Sequence, residues 1–238
     1  MINQNPRIER GITKLIIPHE KGELVTIYPA KGPGAYRTVG KEILDAGEKL
    51  QTGYETTLML NSAYNSKEKE FQDVKEIMKN NYFHIFQIAF WLSEQDKNSG
   101  VYSVYDKEAL GREMEFNQEE LESKLKGAEV YQGVRFNPEE GIAFAPRNTI
   151  NFGKQNWDTF GRNGLLIANH LPKGAENLTN LGKENFKSGW VYGVTGNNQV
   201  EKRMSALGGD WDYGRRLFVV GDFDGFGSGF AFGVSVAD

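Results

Sequence analysis

The stretch of this sequence richest in ligand-type side chains is Gly221-Asp222-Phe223-Asp224-Gly225-Phe226-Gly227-Ser228-Gly229. Two carboxylates two residues apart, followed by glycines, match the opening of a calcium loop, in which a tight turn lets several oxygens converge on one hard cation. The match stops early. The fifth position, which needs an oxygen-bearing side chain, is Phe226, and the twelfth, which needs a glutamate, is Gly233. The spacing leaves room for a divalent cation at Asp222 and Asp224, but it favours a β-hairpin whose Asp-Gly turn joins Leu217–Phe223 to Phe230–Val236. No other cofactor is predicted.

Just upstream stands Trp211-Asp212-Tyr213-Gly214-Arg215-Arg216. A guanidinium beside aromatic and acidic side chains can recognise a carboxylate or phosphate. The same residues also make the Arg–Asp pair with cation–π packing that is common at strand ends, which is the favoured reading. Lys31 to Lys41 carries the glycines of a phosphate loop but misses its spacing, with Ala35 where glycine is required and Glu42 where Ser or Thr is required. His19, His84 and His170 lie in unrelated segments with no i, i+4 pairing, and no serine sits in a Gly-x-Ser-x-Gly elbow. The acidic pairs Glu119-Glu120 and Glu139-Glu140 read as solvated surface. None of these patterns specifies a catalytic mechanism.

The elements that must position these residues divide by composition. Up to Gly127 the chain is charged and helix-rich; beyond it fall 18 of the 28 glycines and three of the four tryptophans, which signals β structure. Leu15–Pro18 and Leu24–Pro29 are β-branched runs closed by prolines and read as a hairpin at a sheet edge. Thr52-Gly53-Tyr54-Glu55 has capping-box spacing, and Phe71, Val74, Ile77 and Met78 recur at helical intervals after a start signal at Ser66. Phe83–Leu92 is bulky on both alternating faces, as a buried central strand requires, and Val101–Tyr105 reads as its partner. Asn117 opens a short acidic helix, and Ala175 to Lys183 another. Strands are expected at Val130–Phe136, Ile142–Ala145, Trp190–Val194, Leu217–Val220 and Phe230–Val236, the last alternating bulky residues with Gly, Ala or Ser. A bare face of that kind lets another element approach closely, and intramolecular packing is its expected use.

The expectation is a single α+β domain over 1–238, with the composition change near 127 as the one candidate subdivision: a helix-rich front half packed with a mainly antiparallel sheet, and a glycine- and aromatic-rich β back half. The order of a short β segment, the Gly53–Leu60 helix, the aromatic Phe83–Leu92 segment and the ending from Ser205-Ala206-Leu207 through Phe230–Val234 resembles uncharacterised archaeal and uncultured-microbe proteins. That resemblance implies no activity and transfers no site.

Formal net charge is −4, with 17 Lys/Arg against 20 Asp/Glu in residues 1–127 and 11 against 12 in residues 128–238. Neither half has the basic excess that drives phosphate binding, so nucleic acid is demoted as a partner. Cysteine is absent, which removes disulfides, thiolate metal sites and thiol nucleophiles together. A polar N-terminus and the lack of any long apolar run lead to the expectation of a soluble, cytoplasmic protein with no membrane contact. The function that fits is a non-catalytic binding protein for a protein or small-molecule partner, using Trp211, Arg215, Arg216 and Phe226 on C-terminal loops. The alternative is a metal-assisted hydrolase or other small-substrate enzyme built on Asp222 and Asp224.

Overall fold

The computed structural model describes residues 7–9, 13–19, 22–210 and 214–235. The strands are β1 (Arg7–Glu9), β2 (Lys14–His19), β3 (Gly22–Gly34), β4 (Lys49–Leu50), β5 (Tyr82–Trp91), β6 (Gly100–Tyr105), β7 (Glu129–Tyr131), β8 (Val134–Asn137), β9 (Ile142–Pro146), β10 (Gly153–Gln155), β11 (Ser188–Tyr192), β12 (Glu201–Asp210), β13 (Arg216–Phe223) and β14 (Gly229–Val234). The helices are α1 (Tyr36–Asp45), α2 (Gly53–Asn65), α3 (Lys69–Asn80), α4 (Gln118–Lys124), α5 (Trp157–Gly161) and α6 (Gly164–Asn185). This is an α+β architecture. The main path of its sheet runs β1-β2-β3-β14-β5-β12-β13-β11-β10, and strands from both sides of Gly127 share it. Pairing is antiparallel except at β11–β13 and β14–β5.

The central strand is β5, because Phe83-His84-Ile85-Phe86-Gln87-Ile88-Ala89-Phe90-Trp91 can be buried on both faces, and every one of these residues is. Along one edge it pairs with β12 for its whole length. Along the other its first two residues pair with β14 and its last five with β6, so the sheet forks at His84–Phe86. His84 lies at the fork, its Nε2 2.9 Å from the Gly34 carbonyl and its ring against the bare backbone of Gly229. Gly233 likewise admits the Glu48 side chain, so the small-residue face of β14 is filled from within the molecule.

Two corrections to the sequence reading follow from this topology. The expected C-terminal hairpin does not form: β13 and β14 are consecutive, yet β5 and β12 lie between them, since β14 gains more by closing on β3, β4 and the start of β5. The proline-ended N-terminal strands do pair as a hairpin, but neither is an edge; β1 covers β2, and β14 covers β3. The Val130–Phe136 strand resolves into a tight hairpin, β7–β8, turning at Gln132 and Gly133, both with positive φ. Ser66 closes α2 rather than opening α3, whose N-cap is Glu68.

Helices α2, α3, α5 and α6 cover one side of the sheet. Their apolar faces meet Phe83, Ile85, Ala89, Leu207, Leu217 and Val219 in the larger core. Thr52 caps α2 through the box read from its sequence: its hydroxyl accepts from Glu55 N, and the Glu55 carboxylate accepts from Thr52 N at 2.7 Å. α6 is kinked at Leu171, whose φ of 61° and ψ of 165° are non-helical and which precedes Pro172. The break seats the buried His170 against α2. Its Nδ1 lies 2.9 Å from the Gly53 carbonyl and 3.0 Å from Thr57 Oγ1, while Nε2 has no partner. A carbonyl can only accept, so Nδ1 carries the proton, and burial with no partner at Nε2 keeps the ring neutral. On the other side of the sheet, α1, α4 and the 106–116 segment close a second core over Phe86, Ile88, Phe90, Tyr102 and Phe144.

Candidate functional site

The second side of the sheet is covered only in part. Beyond β5, the strands β12, β13 and β11 carry Gly208, Asp210, Arg216, Phe218, Val220, Trp190 and Tyr192 on that side; α3, α5 and α6 meet these strands, and the 111–113 turn meets β12. Register sets the pattern. Trp190 faces Phe218, Tyr192 faces Val220, Gly208 lies between Phe218 and Tyr82, and Asp210 faces Arg216. Alternation sends Leu217, Val219 and Val191 into the helix-covered core and leaves their neighbours on the open face.

That face is aromatic. The Tyr82 and Phe218 rings lie 5.3 Å apart, Tyr82 and Phe223 are 6.0 Å apart, and Trp190 and Tyr192 stack at 6.1 Å. Gly208 makes this close approach feasible: a Cβ there would come within 2.5 Å of the Phe218 ring. Tyr82 is 37% exposed and Tyr192 36%. Between these rings, the end of α3 and the strand ends lies a hollow of about 470 Å³, bordered by Lys79, Asn81, Asp210, Arg216 and Asp222. Arg216 pairs with Asp210 and stands 5.4 Å over the Trp190 ring. It therefore makes the Arg–Asp, cation–π arrangement expected at a strand end, and does so on the rim of the hollow. The Tyr82 hydroxyl is held above its usual pKa, first by burial and then by Tyr192 and the carboxylates of Asp210 and Asp222. The Asp222 carboxyl also sits above its ordinary value because surrounding protein displaces water, with Arg203 pulling the other way.

The residues singled out in the sequence scatter around this face. Arg216 and Asp222 border the hollow. Phe226, 79% exposed, stands in the β13–β14 loop with the Arg112 guanidinium 5.7 Å from its ring. Asp224 turns inward on its own loop, where its Oδ1 accepts from Phe226 N at 3.0 Å. Among the described residues no group of three or more His, Asp or Glu side chains is placed to hold a metal ion. Arg215 is exposed at φ 54° and does not line the hollow. Trp211 lies outside the described residues. Trp157 packs on Gly182 and Phe160 among the helices, away from the face. Tyr82, Tyr192 and Phe218 were not singled out by sequence; the available signal was their even spacing with Trp190 and Val220, legible only once β11 and β13 are known to be neighbours.

No protein-family model matches the chain, and no curated protein matches it. Among solved structures it resembles one described as "Accommodation of massive sequence variation in Nanoarchaeota by the C-type lectin fold", with a TM-score of 0.52 at 10% identity, covering 87% of this chain and 98% of the other. At that identity the likeness is one of fold, and this chain has a C-type lectin-like fold.

Proposed function

We propose that this chain is a non-catalytic binding protein whose recognition surface is the open face of β11, β12 and β13 with Tyr82. The observation that carries this reading is an aromatic cluster on this side of the sheet, hollowed at its centre and rimmed by a charged pair. Buried rings beside an Arg are what binding hot spots are made of, and exposed aromatics lose little conformational entropy when a partner settles on them. The larger core lies on the opposite side of the same strands, and on this side Trp190 and Phe223 pack against a small buried cluster of Ala206, Phe218 and Val220.

The fold neighbour is described as accommodating massive sequence variation. In this chain, too, positions 82, 190, 192, 222 and 226 point away from the larger core, so side chains there are exchangeable without disturbing it. The reading is tested by two libraries, one randomised at those five positions and one at 191, 217 and 219, sorted for folding by protease resistance and then for capture of an immobilised target protein. The expected result is that most members of the first library fold and that some bind, while most members of the second do not fold. Equal loss of folding in both would overturn the proposal.

A further inference from the structure

Three strands and the start of β5 bring three rings to the hollow on the aromatic face. Phe218 on β13 meets Tyr82 from the β12 side, across the bare backbone of Gly208, with ring centres 5.3 Å apart. It meets Tyr192 from the β11 side at 6.3 Å, the two rings inclined at 77°. All three line the hollow, so aromatic surface walls it from both flanks. The faces of such rings carry the negative part of the aromatic quadrupole and attract cations.

The charged side chains at the border are not equivalent. Arg216 pairs with Asp210 and lies over Trp190, and Lys79 pairs with Glu76 at 2.7 Å, so each cation of the rim already has a carboxylate of its own. Asp222 continues the same face of β13 two residues past Val220. Among the described residues it has no ion-pair partner, and Arg203, the cation that acts on it from a distance, pairs with Glu201. The Tyr82 hydroxyl feels the carboxylates of both Asp210 and Asp222, which puts the uncompensated charge beside an aromatic wall. The protein packed beside Asp222 works against its ionisation, a cost that an incoming cation would relieve.

We propose that the hollow receives an arginine side chain of a partner protein, an inference that rests on the binding role given above to this face. Aromatic walls around one uncompensated carboxylate select a cation over an anion. Arginine fits better than lysine, because its planar guanidinium stacks on rings, bonds a carboxylate through its edge and gives up less hydration on entering an apolar hollow. A protein fits better than a free cation, because the apolar surface does not end at the hollow. Tyr192 stacks on Trp190 beyond it, and Tyr82 and Tyr192 are both exposed, so the chain on either side of the arginine has rings to lie on.

The test follows the aromatic NMR signals of the protein during titration with acetyl-Gly-Leu-Arg-Leu-Gly-amide, the same peptide with citrulline or glutamate in place of arginine, and methylguanidinium. The arginine peptide is expected to shift the Tyr82 and Tyr192 ring signals saturably at millimolar concentration, the citrulline peptide to bind about fivefold more weakly, the glutamate peptide not to bind, and methylguanidinium to bind more weakly than the arginine peptide. Asp222→Asn, at an exposed strand end, is expected to erase the preference for arginine over citrulline, whereas Glu140→Gln, which removes an equal charge on the exposed β8–β9 turn, leaves it intact. Equal binding of the citrulline peptide with shifts at the same rings would overturn the arginine assignment and leave the face a binding surface. Indifference to Asp222→Asn, or methylguanidinium binding as tightly as the peptide, would likewise overturn it. If no peptide moves any ring signal, this inference falls, and the two libraries decide separately whether the face binds at all.

Discussion

Acidification should loosen the α2–α6 contact through one side chain. His170 is buried, its Nδ1 proton is committed to the Gly53 carbonyl, and its Nε2 faces no acceptor. Protonating Nε2 would place an unpaired cationic N–H in the interior, and burial accordingly holds this histidine at about 4, against 6.5 for the free side chain, the Gly53 hydrogen bond opposing only in part. Between those two values the unfolded chain holds the proton and the folded chain does not, so stability rises with pH there. The contribution is complete above 6.5 and is lost progressively as pH falls to about 4. At about 1.4 kcal/mol per pH unit it comes to about 3 kcal/mol. Other groups titrate in the same range: burial lowers His84 and acts in the same direction, whereas burial raises Asp106 and acts against it. The measurement is therefore a difference. Urea unfolding of the wild type and of His170→Gln, followed by circular dichroism from pH 8 to pH 4, should give two stability curves that converge as the pH falls, the wild type losing about 3 kcal/mol more. Parallel curves, or a His170 ring that titrates near 6.5 by NMR, would refute the reasoning.

Four further outcomes are expected. Gly209→Ala places a Cβ 2.5 Å from the Met78 carbonyl oxygen and should lower unfolding free energy by about 2–3 kcal/mol in the same urea titration. Gly208→Ala, whose Cβ meets only the movable edges of Phe218 and Tyr82, should lower it by about 1 kcal/mol or less while reshaping the hollow. Thr52→Ala removes the N-cap of α2 and should lower the unfolding free energy by about 1 kcal/mol. Phe226→Ala, at a side chain 79% exposed, should stay within about 0.5 kcal/mol of wild type in thermal unfolding.

What was legible in the sequence was local. The capping box at Thr52, the buried strand around Phe86, the Asn117 cap and the small-residue face of β14 depend on neighbours a few residues away, and all appear in the structure. The C-terminal hairpin was misread for the same reason. An Asp-Gly turn between two β runs satisfies every local rule, yet β14 pairs with β3, β4 and β5, more than a hundred residues earlier in the chain, while β13 pairs with β11 and β12 just before it. Arg216 and Asp222 could be named from their own segment, but their placement beside Tyr82 requires β12 to lie between β5 and β13. The hollow is thus a product of strand order rather than of any one motif. The acidic pair at 139 and 140 read as solvated surface, and both residues are exposed on the β8–β9 turn.

The position of β14 bears on how the chain is made. Residues 229–234 form the last of the described strands in chain order, and they occupy a slot between β3 and β5, which precede them by some 140 or more residues. Until they arrive, both flanking strands offer unpaired backbone, and the fork at His84 stands open. A chain made only as far as β13 is therefore a sheet with a gap, prone to accept a foreign strand. A chain ending at Asp224 should display the same gap permanently, and a synthetic peptide of residues 225–238 should fill it in trans.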